Sequence, residues 1–285
     1  MNLYNETKFI MKKYNIFANK NLGQNFLIDE NVVKSIVEES SISKSDLVIE
    51  VGPGLGTLTK ELLDNAGKVI AIELDKRMME ILDDRFSLYT NFRIINDDVL
   101  KVDLNKLILE EKNNEITSVK IVANLPYYIT TPIIMKLLED RLDIESITVM
   151  VQKEVADRLV AMPGFDETSA ITYAIDYYTN SKIIEKVPNT SFIPAPQVNS
   201  AVIKLDVLKE PKVMVKDEEL FFKIIKHAFM QKRKTLLNSL TNSNLLNDKS
   251  ETEKMLIELG IDTKIRPERL SLEHFAGIAN YIYEK

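Results

Sequence analysis

Between about residues 31 and 206 the chain alternates short, β-branched apolar runs with longer stretches in which apolar residues recur every three or four positions. That rhythm predicts strands alternating with helices, the mark of a mainly parallel sheet flanked by helices. Strands are expected at 47–51, 68–73, 92–95, 119–124 and 144–152, with a late pair at 182–187 and 198–205. Helices are expected over 31–40, 58–65, 76–86, 132–139 and 169–178, with Asp75 and Thr131 as N-caps and Pro132 at a first helical position. The late pair has no helix between its members, only the Pro-rich 188–196, and is expected to form an antiparallel edge. After Leu205 the pattern is helical only, over 217–239, 250–259 and 271–283, beyond a linker at Lys209-Glu210-Pro211. The expectation is an α/β protein: a seven-stranded, mostly parallel sheet within 1–207, and a small all-helical domain over 208–285.

Composition narrows the chemistry. Of 285 residues, 45% are apolar and 28% charged, as in ordinary folded domains. No apolar run approaches the roughly 18 residues of a membrane helix, and the first 20 residues mix Asn, Glu, Lys and Tyr, so no membrane association and a cytoplasmic location are expected. The chain has no cysteine and two well-separated histidines, His227 and His274, which removes thiolate catalysis and leaves little for a metal site; no metal is expected. Chemistry must come from carboxylates, amides, backbone groups or a borrowed cofactor. The net charge of −6 argues against nucleic acid, but its distribution does not. Between Leu220 and Leu240 stand Lys223, Lys226, Lys232, Arg233 and Lys234 without an acid, and the opening segment carries Lys8, Lys12, Lys13 and Lys20 against Glu6. Screening confines each charge to about 8 to 10 Å, so a basic face can hold phosphates on an acidic body. A solvated helix face explains the same composition.

Several motifs carry specific chemistry. Glu50-Val51-Gly52-Pro53-Gly54-Leu55-Gly56 places glycines between a strand and a helix, where a backbone can approach a nucleotide-like ligand. A turn of this kind also occurs without a ligand, and its spacing is not the dinucleotide fingerprint, which disfavours NAD and FAD. Glu73, about 20 residues past the glycines, stands where an acid can accept both ribose hydroxyls. Asp98, in Asp97-Asp98-Val99, can take an adenine amine, although an Asp pair after a strand is also an ordinary turn. Asn124-Leu125-Pro126-Tyr127 is the most specific motif, a signature of transfer to an adenine amine. The Asn124 side-chain carbonyl and the Leu125 backbone carbonyl can accept the two amine hydrogens and localise the nitrogen lone pair, Pro126 fixes the turn, and Tyr127 offers a stacking face. Phe192, in Phe192-Ile193-Pro194-Ala195-Pro196, could meet the other face of the base, or the loop could be a plain connection. Asn21 to Leu27 could fold over the cofactor, with Asn25 and Leu27 touching it, or could merely cap the next helix.

In order, Leu22 to Leu27, Glu50 to Gly56, Glu73, Asp98, Asn124 to Tyr127, and Phe192 to Val202 resemble the ribosomal RNA adenine N6-dimethyltransferases over essentially the whole chain. Ala228 to Leu236 looks like the family's basic helix, and the set is more similar to the small-subunit branch than to the macrolide-resistance methylases. The resemblance implies a Rossmann-like class I methyltransferase with a C-terminal RNA-binding domain. The reaction implied is dimethylation of two adjacent adenosines in a hairpin loop near the 3′ end of 16S rRNA in the small ribosomal subunit, by a monomer contributing to ribosome biogenesis. By the resemblance, S-adenosyl-L-methionine contacts carry over to Asn25, Leu27, Gly52, Glu73, Asp98 and Asn124, and the target adenine to Asn124, Leu125, Tyr127 and Phe192; Gly54 of the glycine turn is expected to join the cofactor set, Pro126 the catalytic set, and Lys226, Lys232, Arg233 and Lys234 of the basic stretch to contact RNA. Two positions depart from the family pattern: Tyr128 stands where Asn is usual, and Met230-Gln231-Lys232 where a small residue and Arg are commoner. The alternatives are a large-subunit methylase of the macrolide-resistance type, a ribosome-assembly factor that keeps the site without turnover, and, more distantly, a nicotinamide oxidoreductase.

Overall fold

Apolar runs become strands and the amphipathic stretches between them become helices, most of them started by a polar cap. The computed structural model describes residues 2–165, 167–231, 233–242 and 248–285. Helix α1 (Leu3–Lys13), a two-residue strand β1 (Phe26–Leu27) and α2 (Glu30–Glu39) lead into the repeating part of the fold. There follow β2 (Asp46–Val51), α3 (Thr57–Asn65), β3 (Lys68–Ile72), α4 (Lys76–Phe86), β4 (Phe92–Ile95), α5 (Leu104–Glu111), β5 (Ser118–Asn124) and α6 (Thr130–Glu139). Next come β6 (Ser146–Gln152), α7 (Lys153–Leu159), α8 (Ala170–Tyr178), β7 (Thr179–Val187), β8 (Phe192–Ile193) and β9 (Ser200–Val207). The last helices are α9 (Glu218–Phe229), α10 (Leu236–Thr241), α11 (Lys249–Glu258) and α12 (Leu272–Tyr283). Asp29, Asp75, Asp103 and Asp217 each accept a backbone N–H of the helix they precede, which satisfies donors that have no partner inside the helix.

Seven strands form one sheet in the order β4-β3-β2-β5-β6-β9-β7. The pairs among β2 to β6 are parallel, and β9 lies antiparallel against β6. Strands covered on both faces are apolar throughout. Val48, Val69, Val122, Met150 and Val202 belong to the core cluster that takes in Ile10, Ile36, Leu62 and Ile81 from α1 to α4. The alternate positions Leu47, Ile49, Ile70, Ile121 and Ile147 point to the opposite face and are equally buried. The late strands do lie at the sheet edge, with β9 inserted between β6 and β7.

Three helices and one small sheet go beyond the pattern. The weakly apolar α1 is held by Arg85 to Glu6 at 2.6 Å and Lys13 to Asp84 at 2.7 Å, contacts that no local periodicity reports. Helices α5 and α7 are short, and β1 pairs with β8 across more than 160 residues of chain. Helix α6 begins at Thr130 behind Ile129, so Thr131 is not its cap; the Thr130 hydroxyl donates instead to the Pro126 carbonyl.

Two compact units emerge, Met1–Ala156 with Lys182–Val207, and Asp157–Ser181 with Leu208–Lys285. The chain passes into the second unit after residue 207, and α8 also belongs to that unit and is not a crossover helix of the first. Its aromatic residues explain this. Tyr173 is buried edge-on to Phe275 at 4.8 Å between ring centres, and its hydroxyl donates to the Leu270 carbonyl at 2.7 Å. Tyr177 and Tyr178 donate to the Glu218 carboxylate on α9.

The turn from β2 into α3 is tightly packed. Gly56 has φ +81°, and a Cβ there would stand 2.5 Å from the Phe86 ring and 2.9 Å from Leu82, so only glycine lets α3 start against α4. Under the same helix, Glu50 is 1% exposed and accepts the Thr59 hydroxyl at 2.6 Å. Burial, with a smaller contribution from the neighbouring Glu73, pushes its carboxyl up to about 8. Replacing Gly56 with Ala should cost about 2 to 4 kcal/mol through overpacking and backbone strain, read as a lower urea midpoint at unchanged slope. For Glu50 the folded state keeps a proton that the unfolded chain loses near its ordinary value, so stability should fall as pH rises from about 4.5 to 8. Glu50→Gln, which stays neutral, should flatten the melting temperature across that window.

Candidate functional site

The chain leaves β2 towards β3 on one side and reaches β5 on the other, which opens a crevice beyond the carboxyl ends of these strands. A cleft of about 1080 Å³, mouth included, occupies this place. Asn25, Leu27, Gly52, Gly54, Glu73, Asp98, Asn124, Leu125, Pro126 and Tyr127 all line it, although they come from five separate stretches of sequence.

One side combines an open glycine turn with carboxylates fixed at strand ends. Among the described residues, no atom beyond Gly52 and its chain neighbours lies within 4 Å of the place a Gly52 Cβ would occupy, so the turn leaves open space where a ligand can meet the backbone. The Gly54 N–H donates to Glu73 Oε2 at 3.1 Å and the Asp75 N–H to Oε1 at 2.8 Å, fixing the carboxylate at the strand end. Burial raises the Glu73 carboxyl from its ordinary value, against these two backbone donors, which favour its charged form. Asp75 is held low by the Arg77 guanidinium at 2.5 Å and also accepts the Gln24 amide at 2.9 Å, which ties the 20–25 strap to the end of β3. Asp98 Oδ1 takes the Leu100 N–H at 3.0 Å, and buried Val99 adds an apolar wall.

The other side is built around Asn124. Its Nδ2 donates to the Asn25 backbone carbonyl at 3.2 Å, which turns the amide so that Oδ1 remains as an acceptor. Asn25 in turn donates its own amide to the Gly23 carbonyl at 3.1 Å. The Leu125 N–H is used by the Met150 carbonyl, whereas no donor among the described residues reaches the Leu125 carbonyl. Tyr127 shares a 2.7 Å hydrogen bond between its hydroxyl and Ser200 Oγ, and burial raises its phenol above the ordinary value. That hydroxyl bond restrains the ring.

Phe192 does not join the site. It is 3% exposed in the core cluster, where β8 pairs its position with Leu27 of β1. Leu27 is buried in the same cluster, and directly opposite residues share a face, so this pairing carries Phe192 into the core and the stacking role expected for it is not supported. The basic residues also differ from expectation. One helix over 217–239 is replaced by α9 and α10, because Thr235 caps a new helix by accepting the Asn238 N–H at 3.4 Å, and α10 then buries Leu236 and Leu240. Lys226 is exposed on α9, and Arg233 and Lys234 are exposed in the intervening turn. Lys232 lies outside the described residues.

Sequence reasoning missed the Asn25 carbonyl, since a backbone acceptor leaves no trace in residue type. It also missed Gln24 and Ser200, which are polar residues beside apolar runs and carry no distinguishing pattern. Leu74 and Tyr128 line the cleft as well.

Comparison with known proteins gives the arrangement its context. The family described as "Ribosomal RNA adenine dimethylase" matches residues 16–284. A protein of Clostridium botulinum named "Ribosomal RNA small subunit methyltransferase A" is 51% identical over 278 residues, 98% of this chain and 98% of its own length. One of the same name from Geobacillus sp. is 49% identical, covering 96% and 94%. Among solved structures, a dimethyladenosine transferase from Plasmodium falciparum superposes with a TM-score of 0.73 at 25% identity, covering 89% of this chain and 95% of its own. The 23S rRNA methyltransferase ErmE superposes at 0.68 with 24% identity, covering 92% and 100%, and shares the fold. With the family matched across nearly its full length, the chain belongs to the ribosomal RNA adenine dimethylases.

Proposed function

We propose that this member of the family takes methyl groups from S-adenosyl-L-methionine and places two on N6 of each of two adjacent adenosines near the 3′ end of 16S rRNA in the small ribosomal subunit. The observation that carries the reading is the fixed Asn124 amide, whose Nδ2 is engaged by Asn25 while Oδ1 faces the requirement for an acceptor. The small-subunit substrate rather than the large is supported by the name carried by relatives about half identical in sequence.

The residues of the cleft fit an adenosyl cofactor. Glu73, held by two backbone donors, presents carboxylate lone pairs to ribose hydroxyls, and Asp98 keeps an oxygen for an exocyclic amine beside Val99. The open backbone at Gly52 admits the middle of the ligand, Gly54 lines the cleft beside it, and Asn25 and Leu27 border the remaining part. The cofactor, when bound, supplies an electrophilic methyl group on a sulfonium.

The protein's part is orientation and polarisation. An adenine amine is a poor nucleophile because its lone pair is shared with the ring. Asn124 Oδ1 and the Leu125 carbonyl accept the two amine hydrogens and favour a pyramidal nitrogen whose lone pair points along the line of transfer. Pro126 sets the turn that aims both carbonyls. Tyr127 stacks on the extruded base, an interaction of about 1 to 3 kcal/mol in comparable sites. After the first transfer the nitrogen keeps one hydrogen, so one acceptor still engages it for the second. RNA phosphates meet Lys226, Arg233 and Lys234, which stand exposed on the second unit.

Asn124→Ala should lower methyl transfer to unmethylated small subunits by about 100-fold or more while RNA binding changes little, as measured with labelled cofactor beside a filter-binding assay. Survival of activity within a few-fold would rule out carbonyl polarisation by this residue. Changing Lys226, Arg233 and Lys234 together to Ala should flatten the log–log salt dependence of RNA binding by about 2 to 3 units and leave cofactor affinity unchanged. An unaltered slope would assign these side chains to a solvated face.

A further inference from the structure

Tyr128 has no place in the roles assigned so far. It follows Tyr127 directly, lines the cleft at its mouth, and is 58% exposed. Its hydroxyl has no hydrogen-bond partner among the described residues, so neither burial nor a polar contact explains a large aromatic here. The ring is nonetheless held. A Cβ on Gly23 would stand 3.3 Å from Tyr128 Cδ1 and 3.6 Å from Pro126 Cβ, so the bare backbone of the strap is what lets the ring lie close. One part of the ring is seated on the strap, and much of the rest meets solvent.

A half-exposed aromatic braced by backbone is a stacking platform of the kind used by proteins that bind single-stranded nucleic acid. Consecutive residues are about 3.8 Å apart at Cα, close to the spacing of stacked bases, so neighbouring rings can engage neighbouring nucleotides. Tyr127 is tied to Ser200 inside the cleft, while Tyr128 stands at its lip.

We propose that Tyr128 is a substrate-positioning residue: while the target adenine lies against Tyr127, the adjacent nucleobase of the RNA stacks on the exposed ring of Tyr128. This rests on the proposed function, because it takes the substrate to be a pair of adjacent adenosines. The stacked neighbour fixes the register of the strand at the cleft. A purine, with its larger face, is held better than a pyrimidine.

The test uses the full chain, S-adenosyl-L-methionine, and small subunits whose RNA carries either adenosine or uridine beside the target adenosine. The unmodified protein should favour the adenosine neighbour by about tenfold in kcat/KM. Tyr128→Ala should raise KM on the adenosine substrate by about tenfold, leave kcat within a few-fold, and reduce the preference to about twofold or less; Tyr128→Phe should restore it. Calorimetric affinity for the cofactor should be the same in all three proteins. Because the chain has no tryptophan, Tyr128→Trp supplies a single reporter whose emission should be quenched on binding the adenosine substrate.

A preference that survives Tyr128→Ala, or an unquenched Tyr128→Trp complex, overturns the inference. So does an equal loss on both substrates accompanied by weaker cofactor binding, which would make the ring only a prop for the strap. Absence of transfer to either substrate by the unmodified protein overturns the proposed function itself, a distinguishable result.

Discussion

The position of β2 between β3 and β5 is the constraint on which the site depends. From this strand the chain builds outward in one direction through β3 and β4, then returns to extend the sheet on the other side through β5 and β6. The connections therefore part above β2, and the loops at its end have no neighbour to close against. The cleft is what remains. Its two halves have separate origins, since Glu73 and Asp98 follow strands on one side of the parting and Asn124 ends the strand on the other. Gly56 holds the arrangement together from beneath by allowing α3 to start close enough to α4 to cover the sheet.

In the proposed mechanism the chemistry within that cleft is carried by oriented dipoles more than by ionised groups. The buried carboxyls Glu50 and Glu73 are both raised by burial, and neither stands as a base at the Asn124 end of the cleft. The acceptor in the proposed catalytic motif is an amide, fixed by one hydrogen bond to a backbone carbonyl. This suits the reaction. An amine attacking a sulfonium methyl needs its lone pair aimed and its hydrogens held, and a strong base would gain little before the bond forms. Fixing Asn124 through the Asn25 carbonyl also couples the two sides, because the same strap that borders the cofactor region sets the orientation of the acceptor.

Much of this was legible in the sequence, for identifiable reasons. The parallel strands have the continuous apolar runs that two-sided burial demands, so five of them and their order along the chain could be marked in advance. The Gly52 turn, Glu73, Asp98 and Asn124 to Tyr127 sit at strand ends, where position follows from the pattern, and all of them line the cleft. What stayed hidden depended on distant partners. Helix α1 relies on Arg85 and Asp84, about 70 residues or more away, and β1 exists only because β8 meets it. Phe192 misled for the same reason. An aromatic in a Pro-rich loop suggests an exposed ring, but pairing with Leu27 determines which way that short strand faces, and it faces the core.

The second unit failed differently, and the failure is instructive about amphipathic helices. The spacing of α8 is as regular as that of a crossover helix, so periodicity placed it in the sheet layer. Its burial is provided by Phe221, Phe229 and Phe275, residues that follow it by about 50 to 100 positions. A hydrophobic face specifies that something must cover it, not what. The one clue was composition: Tyr173, Tyr177 and Tyr178 carry hydroxyls, and a buried phenol needs an acceptor that the aliphatic helices on the sheet do not offer. Leu270 and Glu218 supply those acceptors from the tail, so the polar ends of the aromatic side chains join their apolar bodies in tying this helix to the second unit.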